Sequence, residues 1–97
     1  MDGVTITRID HGSHGEYRAH VAGSDHVGLL SWVQRGGARV AEHTVVPPQI
    51  GGRGIAGELV KALIADAREQ GFTIDPQCSY VAAQFARHPE WADLRAS

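Results

Sequence analysis

The sequence predicts an α/β (α+β) fold in which a mixed, mostly antiparallel sheet follows the element order β-β-β-β-α-β-α. Three observations predict it. Apolar and polar residues alternate through the first half of the chain, as they do in half-buried strands. Apolar residues recur at helical spacing after residue 54. A glycine-rich loop separates these two patterns.

Four strands are predicted in the first half, over residues 4–9, 16–21, 27–34 and 39–46. Short turns join them, with Gly36 and Gly37 in the last turn, and short turns favour antiparallel neighbours. Trp32 lies in the third strand and is expected in the core. The fourth strand should stop at the two prolines that follow residue 46, because proline cannot donate to a strand ladder.

The second half predicts two helices around a short strand. The first helix presents an apolar face formed by Ile55, Leu59, Val60, Leu63, Ile64 and Ala67. Gly71 is expected to end it. Residues 72–74 should form a fifth strand parallel to the fourth, since the helix is then the crossover. A second helix over residues 79–88 should stop before Pro89, and the residues after Trp91 are expected to fray.

Length and charge predict one domain over residues 1–97 and argue against several functions. The net charge of −2 comes without a basic block, which disfavours nucleic-acid binding. No apolar run approaches the ~20 residues that a membrane helix needs, and no signal peptide is expected. Because Cys78 is the single cysteine, no internal disulfide is expected and a reducing compartment fits best. We therefore expect a cytoplasmic protein, with a monomer as the default.

The strand, glycine loop and helix over residues 45–67 predict an anion site. Bare backbone N–H groups of the loop and the N-terminus of the helix point at one place, where the helix dipole favours negative charge. A dinucleotide site is rejected, although Gly52 to Gly57 satisfies G-x-G-x-x-G, because only 22 residues follow Asp75. A P-loop is rejected because Glu58 stands where its lysine should be. A glycine turn that caps the helix without any ligand stays open.

The loop and its flanks resemble the GCN5-related N-acetyltransferases. Their signature, Gln/Arg-x-x-Gly-x-Gly/Ala, is met at Gly54 and Ala56 and is not met at Gly51. Residues 43–48, 78–83 and 87–91 are similar to the very short branch of this superfamily, and the resemblance covers about residues 28–91. It implies acetyl-coenzyme A as substrate, with the pantetheine arm along the fourth strand and the pyrophosphate on the loop amides. The residues then expected to contact coenzyme A are Val45, Val46, Gly51, Gly52, Arg53, Gly54, Ile55, Ala56, Gly57 and Cys78.

Cys78 and His43 are the candidate catalytic residues. The family's usual tyrosine acid is replaced by Phe85, and a cysteine stands where an asparagine is usual. A helix N-terminus lowers the pKa of a thiol, so Cys78 is expected to carry the acetyl group or to donate a proton; a small buried side chain is the alternative. His43 is a candidate base for the amine, and a strand histidine that faces solvent or is hydrogen-bonded in the core is the alternative. Glu42 is a weaker candidate because strand alternation puts it on the opposite face.

The other histidines are not expected to hold a metal. His11 and His14 form a loop pair without further ligands at zinc spacing, and His88 before Pro89 suits a structural role at a helix end. The resulting hypothesis is an acetyl-coenzyme A-dependent transferase that acetylates a primary amine. A coenzyme A-binding module without turnover and an interaction domain are the alternatives.

Overall fold

A computed structural model describes residues 3–96 as one five-stranded sheet with two α-helices. The elements are β1 (Val4–Asp10), β2 (His14–Val21), β3 (Val27–Arg35), β4 (Ala38–Val45), α1 (Ile55–Gln70), β5 (Thr73–Pro76) and α2 (Ser79–Arg87). Short 3-10 turns cover Pro48–Ile50 and Pro89–Leu94. No helix among residues 3–96 is long and apolar enough to span a membrane.

The sheet has the order β1-β2-β3-β4-β5, which confirms the predicted fold class. The first three pairings are antiparallel, and β4 pairs with β5 in parallel through α1, as the crossover argument predicts. The predicted bounds differ slightly from the observed ones. β5 begins one residue later and reaches Pro76, and α2 ends at Arg87. Gly71 caps α1 as predicted.

Both helices pack on one face of the sheet. Tyr17, Ala19 and Val21 alternate toward that face from β2, and Leu30 and the buried Trp32 do so from β3. They join the apolar face of α1 and two side chains of α2, Val81 and Phe85, in one core cluster. The opposite face, which we call the open face, has no helix packed on it in the part of the chain that the structure describes.

A buried polar network fixes α1 against the sheet. The Tyr17 hydroxyl donates to Asp66 Oδ2 at 2.9 Å and accepts from Arg39 Nη1 at 2.8 Å. Arg8 Nε also donates to Asp66 Oδ2, at 2.9 Å. The guanidinium of Arg39 donates to Asp10 Oδ2 at 3.2 Å and lies 3.9 Å from the centre of the Trp32 ring, so a carboxylate, a phenol and an aromatic face hold its charge. Burial, followed by the Asp66 hydrogen bond, raises the pKa of Tyr17 above its usual value.

The C-terminal segment is ordered, and the prediction that the residues after Trp91 fray is wrong. Leu94 is buried against α1 and α2, and the N–H of Ala96 donates to the carbonyl of Ile74 at 2.8 Å. Arg95 forms an isolated parallel bridge with Ile74. The segment therefore covers the outer edge of β5, which fixes it both through an apolar side chain and through the backbone. Ser97 lies outside the described residues.

Candidate functional site

A slot opens between β4 and β5 where their pairing stops. The last paired residues are Ala41 and Pro76, and the N–H of Cys78 donates to the carbonyl of Ala41 at 2.8 Å. Beyond that bond β5 turns into α2, while β4 continues to Val45. The edge of residues 42–45 that faces away from β3 therefore has no strand beside it among residues 3–96. An open strand edge of this kind can accept an extended ligand by backbone hydrogen bonds.

The glycine loop leads from β4 into α1. The 3-10 turn Pro48–Ile50 comes first, and Ile50 is 1% exposed, which anchors the turn in the core. Gly52 and Gly54 have φ values of 72° and 74°, in the region that favours glycine. Residues 51–54 are all exposed, and Gly54 is the N-cap of α1. The glycines thus make a tight turn that ends directly at a helix N-terminus.

The first turn of α1 offers unpaired backbone donors. The first helical bond runs from the N–H of Glu58 to the carbonyl of Gly54, so the three preceding N–H groups have no partner within the helix. No side chain caps them. Arg53 is exposed beside them and makes no hydrogen bond or ion pair within the described residues. Ile55 itself is buried, so it offers a ligand its amide and not its side chain. The arrangement suits an anion such as a pyrophosphate.

Cys78 lies at the N-cap of α2 and is 9% exposed. Its sulfur is 3.3 Å from the Thr44 hydroxyl. Burial alone would raise the pKa of this thiol. The hydrogen bond with Thr44 and the N–H groups of Val81 and Tyr80 at the start of α2 outweigh it, and the pKa is lowered from its ordinary value. The cysteine predicted from sequence therefore sits in an environment that favours its thiolate.

Tyr80 connects the cysteine end of the site to the glycine loop. A Cβ atom placed on Gly57 would lie 3.7 Å from the Tyr80 hydroxyl, so the first turns of α1 and α2 are in contact there. The hydroxyl lies beside the first turn of α1, which brings Cys78 and the loop to one end of the molecule.

A β-bulge changes the expected placement of Glu42. Ser31 pairs with His43, and the next residue of β3, Trp32, pairs with Ala41. Glu42 is the extra residue of β4, and it lines the same surface depression as His43. The prediction that these two side chains lie on opposite faces is wrong, because a bulge inserts one residue into the alternation. The bulge lies immediately after the last residue of β4 that pairs with β5.

His43 and Cys78 lie on opposite sides of β4. Thr44, which touches Cys78, pairs with the buried Leu30 and so points to the helix face, whereas His43 pairs with Ser31 and points to the open face. Val45 is on the open face too and is 55% exposed, while Val46 follows the end of β4 and packs against the core. The slot is thus the passage between the cysteine and the histidine.

Phe85 and His88 lie away from the slot. Phe85 is buried and meets Trp91 edge to face at 5.8 Å, so it provides no proton donor. The His88 ring stacks on Trp91 at 4.0 Å, and its Nδ1 is 3.0 Å from a carboxylate oxygen of Glu90. These contacts give His88 a structural role at the end of α2. Within residues 3–96 no group of three or more histidine, cysteine or acidic residues is arranged to hold a metal.

Comparison with known protein families gives one match. A family model described as GCN5-related N-acetyl-transferase matches residues 16–94 of the chain. The matched region includes the slot, the glycine loop, Cys78 and His43. A search of curated protein sequences finds no match.

Proposed function

The chain belongs to the GCN5-related N-acetyltransferase family, and on that premise we propose that it binds acetyl-coenzyme A in the β4–β5 slot and acetylates a primary amine. One observation carries the proposal. The uncapped N-terminus of α1 with its glycine loop lies at the same end of the molecule as Cys78, whose pKa is lowered. Both are next to the open edge of β4. The proposal includes a cytoplasmic, monomeric enzyme with a single domain.

The substrate is proposed to lie along the slot with its pyrophosphate on the loop. The amides of residues 52–57 and the guanidinium of Arg53 would meet the phosphates, since neither has another partner within the described residues, whereas the Gly51 amide donates to the carbonyl of Pro48 at 3.1 Å. The pantetheine arm would pair with the strand edge at Val45 and Val46. Its thioester would then reach the helix-face side of the slot, where the Cys78 sulfur lies.

Cys78 would act in one of two ways. As a nucleophile, its thiolate attacks the thioester carbonyl carbon, the bond from that carbon to the coenzyme A sulfur breaks, and the coenzyme A thiolate leaves. As a proton donor, its thiol protonates the coenzyme A thiolate while the amine attacks the carbonyl directly. The lowered pKa supports the first route at neutral pH, because it increases the thiolate fraction.

His43 is proposed to take the proton that the amine loses as its nitrogen attacks. It lies on the open face next to the slot, and Glu42 lines the same depression. A neutral imidazole accepts a proton well near pH 7. The bulge at Glu42 supports the assignment of this face to the amine, because it turns two polar side chains in succession toward one place.

Chromatographic measurement of acetyl-coenzyme A consumption with a panel of amines tests the proposal. We expect amine-dependent turnover that falls at least a hundredfold in Cys78→Ala and about a hundredfold in His43→Ala, as is typical for loss of a nucleophile or general base. His20→Ala is the matched control, because His20 is an open-face histidine bonded to Thr7 on another strand. Turnover that is indifferent to Cys78→Ala and His43→Ala would contradict the assigned roles.

A coenzyme A-binding module without turnover is the second candidate. Phe85 in place of the family's tyrosine and Gly51 in place of its Gln or Arg both favour it. This candidate predicts coenzyme A binding that is unchanged in Cys78→Ala, together with no acetylation of any amine in the panel.

A further inference from the structure

The open face carries a depression of about 450 Å³ beside the slot. Its apolar part is formed by Val33 and Val40, and its polar part by Arg35, Glu42, His43 and Gln77. Most of the lining is polar, so the depression suits a small polar ligand that makes a few charged contacts. The depression is not lined by any of the nine residues between Val45 and Gly57 that are proposed to contact coenzyme A. It is therefore separate from the proposed nucleotide site.

Two opposite charges are held apart in this depression. Arg35 pairs with Ala38, which lies four residues before Glu42 along β4. At the usual strand rise, the backbones of Arg35 and Glu42 are therefore about 13 Å apart. Neither side chain makes a hydrogen bond or ion pair within the described residues. On the same face Arg18 and Glu16 do pair, at 2.8 Å. The charges of Arg35 and Glu42 are therefore left for a ligand that reaches both.

The two ends of the depression differ in their distance from the slot. Glu42 is the first residue of β4 beyond the pairing with β5, and Gln77, the residue before Cys78, lies across the slot from it. Arg35 lies at the far end, where β3 meets the hairpin turn. A ligand with a positive group toward Glu42 would present that group to the slot, and its negative group would meet Arg35.

We infer that this depression receives the acetyl acceptor, and that the acceptor is an amine that also carries a carboxylate. The inference rests on the proposed function for the transfer step. The amine binds at Glu42 and His43, and the carboxylate accepts hydrogen bonds from the Arg35 guanidinium, whose planar donors match a carboxylate. In the reaction the bound ammonium first gives one proton to His43, and the neutral amine nitrogen then bonds to the acetyl carbon. That carbon's bond to sulfur breaks, the sulfur keeps the electron pair, and the second proton that the nitrogen loses passes to that sulfur.

Competition among three amines of equal chain length tests the inference. The probes are 4-aminobutyrate, butylamine and 1,4-diaminobutane, compared by kcat/KM with acetyl-coenzyme A. We expect about a tenfold or larger preference for 4-aminobutyrate over butylamine, the value of one charged hydrogen-bonding interaction. Arg35→Gln should reduce that ratio to about one, and Arg35→Glu should turn the preference toward 1,4-diaminobutane. Arg18→Gln, the open-face arginine outside the depression, is the control and should keep the wild-type ratio.

A binding measurement separates failure of this inference from failure of the proposed function. Titration of isotopically labelled protein with 4-aminobutyrate should shift the methyl resonances of Val33 and Val40, and Arg35→Gln should abolish the shifts. Turnover of all three amines at equal kcat/KM would overturn the inference and leave the proposed function standing. Shifts that depend on Arg35 without any turnover would support the inference as a binding site and contradict the proposed function. No shift and no preference would overturn the inference.

Discussion

The hydroxyl oxygen of Thr44 lies 3.3 Å from the sulfur of Cys78, and this contact joins β4 to the start of α2 across the slot. Both the side chain and the backbone of Thr44 contribute to the lowered pKa of the thiol. It is also a neighbour of His43, whose side chain points the other way. Consecutive residues of β4 thus face the two sides of the slot, with Thr44 on the side of Cys78 and His43 on the open face.

Thr44→Val should raise the pKa of Cys78, because valine keeps the shape of threonine and removes its hydroxyl. The rate of iodoacetamide alkylation at neutral pH should fall about two- to tenfold, the value of one hydrogen bond. Thr44→Ser is the matched control, since it keeps the hydroxyl, and it should alkylate like the wild type. An alkylation profile against pH that is the same in Thr44→Val and wild type would contradict this role.

Stability should fall with rising pH above about 10, the ordinary pKa of tyrosine. Burial and the Asp66 hydrogen bond raise the pKa of Tyr17 in the folded protein, so the unfolded chain releases the phenol proton first. The contribution is fully present below the unfolded pKa and is lost as pH rises toward the folded one. Urea unfolding between pH 8 and about 11 measures it, and Tyr17→Phe should remove this part of the slope. If the free energy of unfolding depends on pH equally in Tyr17→Phe and in the wild type, the dependence arises from other groups.

Tyr17→Phe should also destabilise the protein at neutral pH, by about 1–3 kcal/mol, because Asp66 loses a donor and Arg39 loses an acceptor in the interior. Equilibrium unfolding in urea gives the difference. Tyr80→Phe serves as the comparison, since the only other tyrosine is partly buried and has no hydrogen bond to such a network. Equal effects of the two substitutions would show that the network contributes little.

Gly28→Ala should weaken both the fold and the proposed nucleotide site. A Cβ atom on Gly28 would lie 2.9 Å from Cγ2 of Ile55, the first residue of α1, so the start of the helix must shift. We expect a loss of about 1–3 kcal/mol in the free energy of unfolding and weaker coenzyme A binding. Gly37→Ala is the control, because a Cβ there meets no atom within 4 Å. Unchanged stability and affinity in Gly28→Ala would mean that the helix start does not depend on this contact.

Much of the fold was predictable because its signals are local. The alternation of β2 and β3, the helical spacing from Ile55 and the glycine at position 71 each depend on a few neighbouring residues, and the parallel β4–β5 pairing follows from the handedness of the crossover. The position of Cys78 at the start of α2 followed in the same way.

The remaining features depend on contacts between distant residues. The bulge at Glu42 breaks strand alternation, and it leaves no mark in a sequence where apolar and polar residues occur on both sides of it. The fixed C-terminal segment depends on where Leu94 meets α1, and the Tyr17–Asp66 bond joins residues 49 apart in sequence. The contact of Thr44 with Cys78 was predictable in part, since alternation places Thr44 on the face of β4 opposite His43.

Calorimetric titration of coenzyme A tests most directly whether the glycine loop and the slot form its site. We expect one molecule bound per chain, with binding abolished in Gly54→Val, whose branched side chain would stand against the phosphates. Gly23→Val is the control, because Gly23 has a similar φ of 80° in the β2–β3 turn, where an added Cβ meets no atom within 4 Å, and it carries the same backbone strain. Binding by the wild type and Gly23→Val but not by Gly54→Val is the predicted result. No binding by the wild type, or equal binding by all three proteins, would contradict it.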